Sequence, residues 1–159
     1  MEIELTTEGT AKVANNKVLN LGQNCGSEIF VNEYILVVSC PEFNSGSGMI
    51  EVYDQDNKHL IFSKYGEEAN KHNLGTHAAI ISNPGIDTVL YNSDKGLQAL
   101  EIYWSLKDPF SYTLWEYDIA SKEIMGDENF GKYFEVVDNQ IFVTSESNEF
   151  FMGYLCTST

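Results

Sequence analysis

Apolar and polar residues alternate along much of this chain with a period of two, the spacing of a β-strand. Residues 100–106 show it most clearly. Leu100, Ile102, Trp104 and Leu106 fall on one side, and Glu101, Tyr103 and Ser105 on the other. Read as a helix, Leu97, Leu100 and Trp104 would also share a face. The aromatic and β-branched content favours a half-buried strand. Residues 29–38 form a longer β-branched and aromatic run. After a turn-rich segment, 41–48, come two further strand signals, residues 49–53 and Leu60-Ile61-Phe62. Lys107-Asp108-Pro109-Phe110-Ser111 reads as the turn that sends the chain back through 112–117. A single short helix is expected over 67–72. The pattern predicts an all-β fold of antiparallel sheets.

An internal echo refines this expectation. Ile35-Leu36-Val37-Val38-Ser39, Val89-Leu90-Tyr91-Asn92-Ser93 and Ile141-Phe142-Val143-Thr144-Ser145 recur about every 53 residues, each after a polar turn. Val52-Tyr53-Asp54, followed by a three-residue turn and Lys58, matches Glu116-Tyr117-Asp118, followed by a similar stretch and Lys122. This strand, strand, Tyr-Asp turn, strand rhythm resembles the outer hairpins of β-propeller blades. The resemblance implies three blade-like, repeat-derived units of about 53 residues. Closed propellers take four or more blades, so a sandwich or an open barrel without true repeats stays open beside it, as does a mixed α+β chain.

At 159 residues the chain predicts a single domain spanning 1–159. Its 43% apolar and 13% aromatic content is that of a folded protein rather than an acidic tail. Charge is the distinguishing feature: nine lysines, no arginine, and twenty-four carboxylates give a formal net charge of −15. Arginine is the side chain that grips phosphate bidentately. A chain without it, whose lysines are scattered, is not expected to bind nucleic acid, nucleotides or a membrane. The start, Met1-Glu2-Ile3-Glu4, has no secretory character, and no run of apolar residues is long enough to span a bilayer. A cytoplasmic protein with Cys25, Cys40 and Cys156 as free thiols is therefore expected. Were it exported, Cys25–Cys40 would be the first pair to test.

The chemistry-bearing motifs do not assemble into a catalytic set, and no enzyme activity, cofactor or metal is expected. Gly46-Ser47-Gly48 is shorter than a nucleophile elbow and sits in a turn between strands. His72 and His77 flank Gly75 without a Cys-x-x-Cys or His-Glu-x-x-His context, and read as solvated loop residues. His59 reads as edge-exposed. Asp54-x-Asp56 starts like a calcium loop, but His59 and Tyr65 stand where that loop needs Gly and Glu, so it reads as a hairpin turn. With this many acids, a pair at glycosidase spacing would arise by chance. Trp104 and Trp115 are expected in the core.

What remains is an acidic, aromatic stretch. Residues 116–149 carry nine carboxylates, including Glu116, Asp118, Glu123, Asp127, Glu128, Glu135 and Asp138, against Lys122 and Lys132. Tyr117, Phe130, Tyr133 and Phe134 are interleaved with them, and Asp127-Glu128-Asn129-Phe130-Gly131 reads as a loop with an exposed aromatic. In charge, size and lack of a catalytic motif the chain resembles the immunity proteins of bacterial toxin–immunity systems, including those of contact-dependent growth inhibition. That resemblance implies direct binding over or near the active site of a basic, nuclease-type toxin, with Glu116, Asp118, Glu123, Asp127, Glu128, Phe130, Tyr133, Glu135 and Asp138 as partner-binding residues. Complementary fields would speed the encounter, and aromatics would supply buried anchors. Two other readings are a β-domain that stacks a carbohydrate or other uncharged ligand on its aromatics, and a nucleic-acid mimic whose carboxylates stand in for phosphates.

Overall fold

The computed structural model describes residues 3–5, 10–13, 17–20, 25–67, 74–106, 111–121, 131, 133–137, 140–144 and 150–154. They divide into two compact units, Met1–Thr76 and His77–Thr159. Within the first, β1 (Ile3–Leu5), β2 (Thr10–Val13) and β3 (Lys17–Asn20) make one sheet. A second sheet runs in order through β4 (Glu28–Val31), β5 (Ile35–Cys40), β6 (Met49–Asp54) and β7 (Leu60–Tyr65). The second unit has a sheet of β8 (Ala78–Asn83), β9 (Ile86–Ser93), β10 (Gly96–Trp104) and β11 (Tyr112–Ser121). Its other sheet holds β12 (Phe134–Val137), β13 (Gln140–Thr144) and β14 (Phe150–Tyr154). Within each sheet, strands consecutive in sequence pair antiparallel, so each sheet is a simple meander. The fold is all-β and antiparallel, as the alternation predicts.

The echo in the sequence has a partial structural counterpart. Its three apolar runs lie in β5, β9 and β13, each the second strand of its sheet. The Tyr-Asp half does not carry over. At Asp54 the chain turns, because the Asp54 carboxylate accepts the N–H groups of Asp56 at 2.9 Å and Asn57 at 3.0 Å, and Lys58 takes a positive φ of 62°. At Asp118 the strand continues to Ser121, paired with β10, and a register shift at Leu97/Gln98 leaves Ile119 as an extra residue. Ile119-Ala120 extends the strand where Gln55-Asp56-Asn57 breaks it. The expected helix over 67–72 falls almost wholly outside the described residues. The segment 41–48 turns the chain between β5 and β6 as expected, with Asn44 and Ser45 in the left-handed region at φ 48° and 61°.

Burial explains why the alternation is only partly visible. All six residues of β5 are buried, as are Gly96 to Leu100 of β10, because central strands covered on both faces need no polar side. The half-buried pattern read from 100–106 holds for the outer end of β10 alone. Leu106, assigned to the apolar face, is 98% exposed and lies beyond the strand. In the second unit, Ile81, Leu90, Leu97 and Ala99 pack with Phe134, Ile141 and Val143, joining its two sheets. Burying each large side chain contributes about 1.5–3 kcal/mol. Phe134, grouped with the acidic stretch in the sequence, is thus core.

Two local constraints shape the first unit. The register Glu28↔Ser39 carries the residues before β4 alongside the end of β5, where the Gly26 N–H donates to the Ser39 carbonyl at 2.9 Å. Cys25 and Cys40 therefore meet, with Cα atoms 4.1 Å apart, and form a disulfide. The expectation of free thiols is corrected for this pair. Gly48 has φ +86°, and a Cβ there would lie 2.3 Å from the backbone N and O of Leu74, its parallel bridge partner. Gly85, in the Pro84-Gly85 turn between β8 and β9, has a similar φ of +79° but open space around it.

Two outcomes are expected. Gly48→Ala should cost more than about 3 kcal/mol in urea unfolding, against about 1–2 kcal/mol for Gly85→Ala, which carries only the left-handed backbone penalty; equal costs would rule out the Leu74 contact. Alkylating the oxidised protein in denaturant should label one thiol of the three, and reduction should lower stability by about 3 kcal/mol for a bridge spanning 15 residues. Labelling of all three thiols would contradict the pairing.

Candidate functional site: the acidic aromatic edge of the β8–β11 sheet

β11 is one edge of its sheet, and residues 112–116 are exposed. Its side chains divide between two faces. On one, Tyr112, Leu114, Glu116 and Asp118 stand opposite Trp104, Ile102, Leu100 and Gln98 of β10. On the other, Thr113, Trp115 and Tyr117 stand opposite Tyr103, Glu101 and Ala99. The first face is a chain of carboxylates held by uncharged donors. The Tyr91 hydroxyl donates to Glu116, and Gln98 Nε2 donates to Asp118 at 2.6 Å. Deeper in the sheet, Asp87 is only 1% exposed and accepts from Trp104 Nε1 at 2.6 Å and Ser82 Oγ at 2.7 Å.

The second face centres on Glu101. Its Oε1 accepts from the Tyr117 hydroxyl at 2.8 Å, and its Oε2 accepts from the Tyr103 hydroxyl. Trp115, the cross-strand partner of Glu101, is 62% exposed and meets Tyr117 edge-on with ring centroids 6.1 Å apart. Tyr117 and Ile119 are where the core of the unit ends, so the face passes along β11 from packed interior to open aromatic surface. Trp115 is not the core residue expected. Trp104 is half-buried, packs edge-on against Tyr112 at 5.8 Å, and is fixed by Asp87.

Of the residues expected to bind a partner, Glu116 and Asp118 share one face of β11. Tyr133 is 54% exposed, and Glu135 is exposed on β12. Glu123, Asp127, Glu128, Phe130 and Asp138 lie outside the described residues, as does His72. His77 packs edge-on against Phe134 at 4.9 Å, and its N–H donates to Asn92 Oδ1 at 2.8 Å, so it is not a solvated loop residue. His59 is exposed, in the turn before β7. The cluster around Glu101 was missed, although Glu101 and Tyr103 sit two apart in the clearest alternation of the chain. Tyr117 and Trp115 join them only through the β10–β11 register. The chain matches no protein-family model, no curated protein and no solved structure.

The phenols respond to this arrangement. Burial first, then the hydrogen bond to Glu116, pushes the Tyr91 hydroxyl far above the ordinary phenol range. Burial followed by Glu101 does the same for Tyr117, and burial followed by Glu51 for Tyr53. For Tyr103 the bond to Glu101 leads and burial follows. A phenol that holds its proton more tightly folded than unfolded contributes its full stability below the unfolded value of about 10, and loses it as pH rises above that. The urea midpoint should therefore fall above about pH 10, and fall less steeply in Tyr91→Phe. Identical slopes in the two proteins would contradict the assignment.

Proposed function

We propose that this protein is a non-catalytic binding protein that takes a basic protein partner on the acidic, aromatic surface of its second unit. The observation that carries the reading is Trp115, 62% exposed on an edge strand with Glu101 as its cross-strand partner. An exposed tryptophan supplies contact area, and the fixed carboxylate beside it selects for positive charge. The finer reading is an immunity protein that covers the active site, or an adjoining surface, of a basic nuclease-type toxin. The net charge of −15 supports it, because a nuclease must be basic where it holds its substrate. The place of β5, β9 and β13 as second strands of successive meanders supports a repeat-derived, blade-like origin for their sheets.

A second reading draws on the same tryptophan. Trp115 with Tyr117 and Tyr103 also suits a stacked sugar ring, as in a carbohydrate-binding β-domain.

Charge and contact can be separated kinetically. Asp127→Lys with Glu128→Lys changes the charge by four units, and should slow association with a basic partner captured from the source organism. Phe130→Ala should instead speed dissociation, since rim charge governs encounter and buried contact governs residence. Association should also slow by about tenfold or more between low and high salt. A partner whose association ignores both salt and the reversals would overturn the reading.

A further inference from the structure

We propose that Glu101, Tyr103, Trp115 and Tyr117 form a binding site for the guanidinium of one arginine side chain on a protein partner. This rests on the reading of a basic partner above and names the group that the site recognises.

The donor and acceptor inventory decides the ligand's chemistry. Each oxygen of Glu101 already accepts one phenol, Oε1 from Tyr117 and Oε2 from Tyr103. An ionised carboxylate has about four acceptor positions, so each oxygen keeps one for a ligand. The two phenols have spent their protons on Glu101 and present only lone pairs outward. Around the carboxylate the site therefore offers acceptors and ring faces; its one remaining side-chain donor is the indole N–H of Trp115, at the edge of that ring. A sugar hydroxyl that donates to Glu101 finds both phenol protons already used, so its own oxygen must turn to the indole N–H or to water. A guanidinium has donors alone and is planar, so it can donate to the carboxylate while stacking on an indole.

Position and charge agree with that assignment. Among the described residues no cation pairs with Glu101, and the chain supplies no arginine of its own. Both phenols hold their proton more firmly than an ordinary phenol, so the carboxylate stays clamped in one orientation over the physiological range. Trp115 stands opposite Glu101 in register, with Tyr117 packed edge-on beside it. An arriving planar cation thus meets a fixed carboxylate and an exposed indole together. Preorganisation of this kind lowers the ordering cost of binding.

Calorimetric titration of the full chain with hexa-arginine and with a neutral glucose hexasaccharide tests this. The wild-type protein should bind hexa-arginine, and both Glu101→Gln and Trp115→Ala should weaken it by about tenfold. Glu33→Gln, which removes the same charge from an exposed residue of the other unit, should leave it within about twofold. Trp115→Phe keeps a ring and should fall between wild type and Trp115→Ala. Equal loss in all the variants, or no loss in Glu101→Gln and Trp115→Ala, would overturn the site while leaving a generally basic partner in place. Binding of the hexasaccharide and not of hexa-arginine would overturn both the site and the basic-partner reading. Binding of neither probe would overturn the site.

Discussion

Among the described residues, five carboxylates accept hydrogen bonds from neutral side-chain donors. Glu51 accepts from Tyr53 at 2.6 Å, Glu101 from Tyr103 and Tyr117, Glu116 from Tyr91, Asp87 from Trp104 and Ser82, and Asp118 from Gln98. A hydrogen bond to an ionised group contributes about 1.5–3 kcal/mol, enough to orient the carboxylate. It does not discharge it. An arginine in the same place would fix the geometry and cancel the charge at once, and this chain has none. These bonds orient the acids without supplying a countercharge, and nine lysines against twenty-four carboxylates leave the chain at a formal net charge of −15.

The same constraint bears on the free edge. A ten-residue strand at the border of a sheet invites pairing with a second copy. On β11 the carboxylates of Glu116 and Asp118, together with the irregularity at Ile119, work against it, because two copies would bring like charges together. The repulsion is selective. It opposes a second copy and favours a chain of opposite charge.

Much of the fold was legible in the sequence, because a period of two is a direct imprint of the pleat. β10 could be read from Leu100, Glu101, Ile102 and Tyr103 alone. The misreadings share a cause: each depended on what lies across the strand. The Tyr-Asp pairs at 53–54 and 117–118 are identical as dipeptides, and only the residues after them, together with the pairing to β10, make one a turn and the other a strand. Cys25 and Cys40 are fifteen apart, and nothing short of the Glu28↔Ser39 register places them side by side. Trp115 looked like core because tryptophan usually is; its place on an edge strand exposes it. Glu101 was one acid among twenty-four until the register of β11 set a phenol and an indole against it.

At a formal net charge of −15, with acids oriented by neutral donors, the folded state carries a self-repulsion that salt can relieve. The most direct measurement is the urea midpoint of the isolated protein at neutral pH as sodium chloride is raised from about 20 mM to about 500 mM, a range over which the screening length shortens several-fold. The account predicts a midpoint that climbs with salt, most steeply at the low end. A midpoint that stays level or falls would mean that the carboxylates are balanced by cations within the fold, and would contradict it.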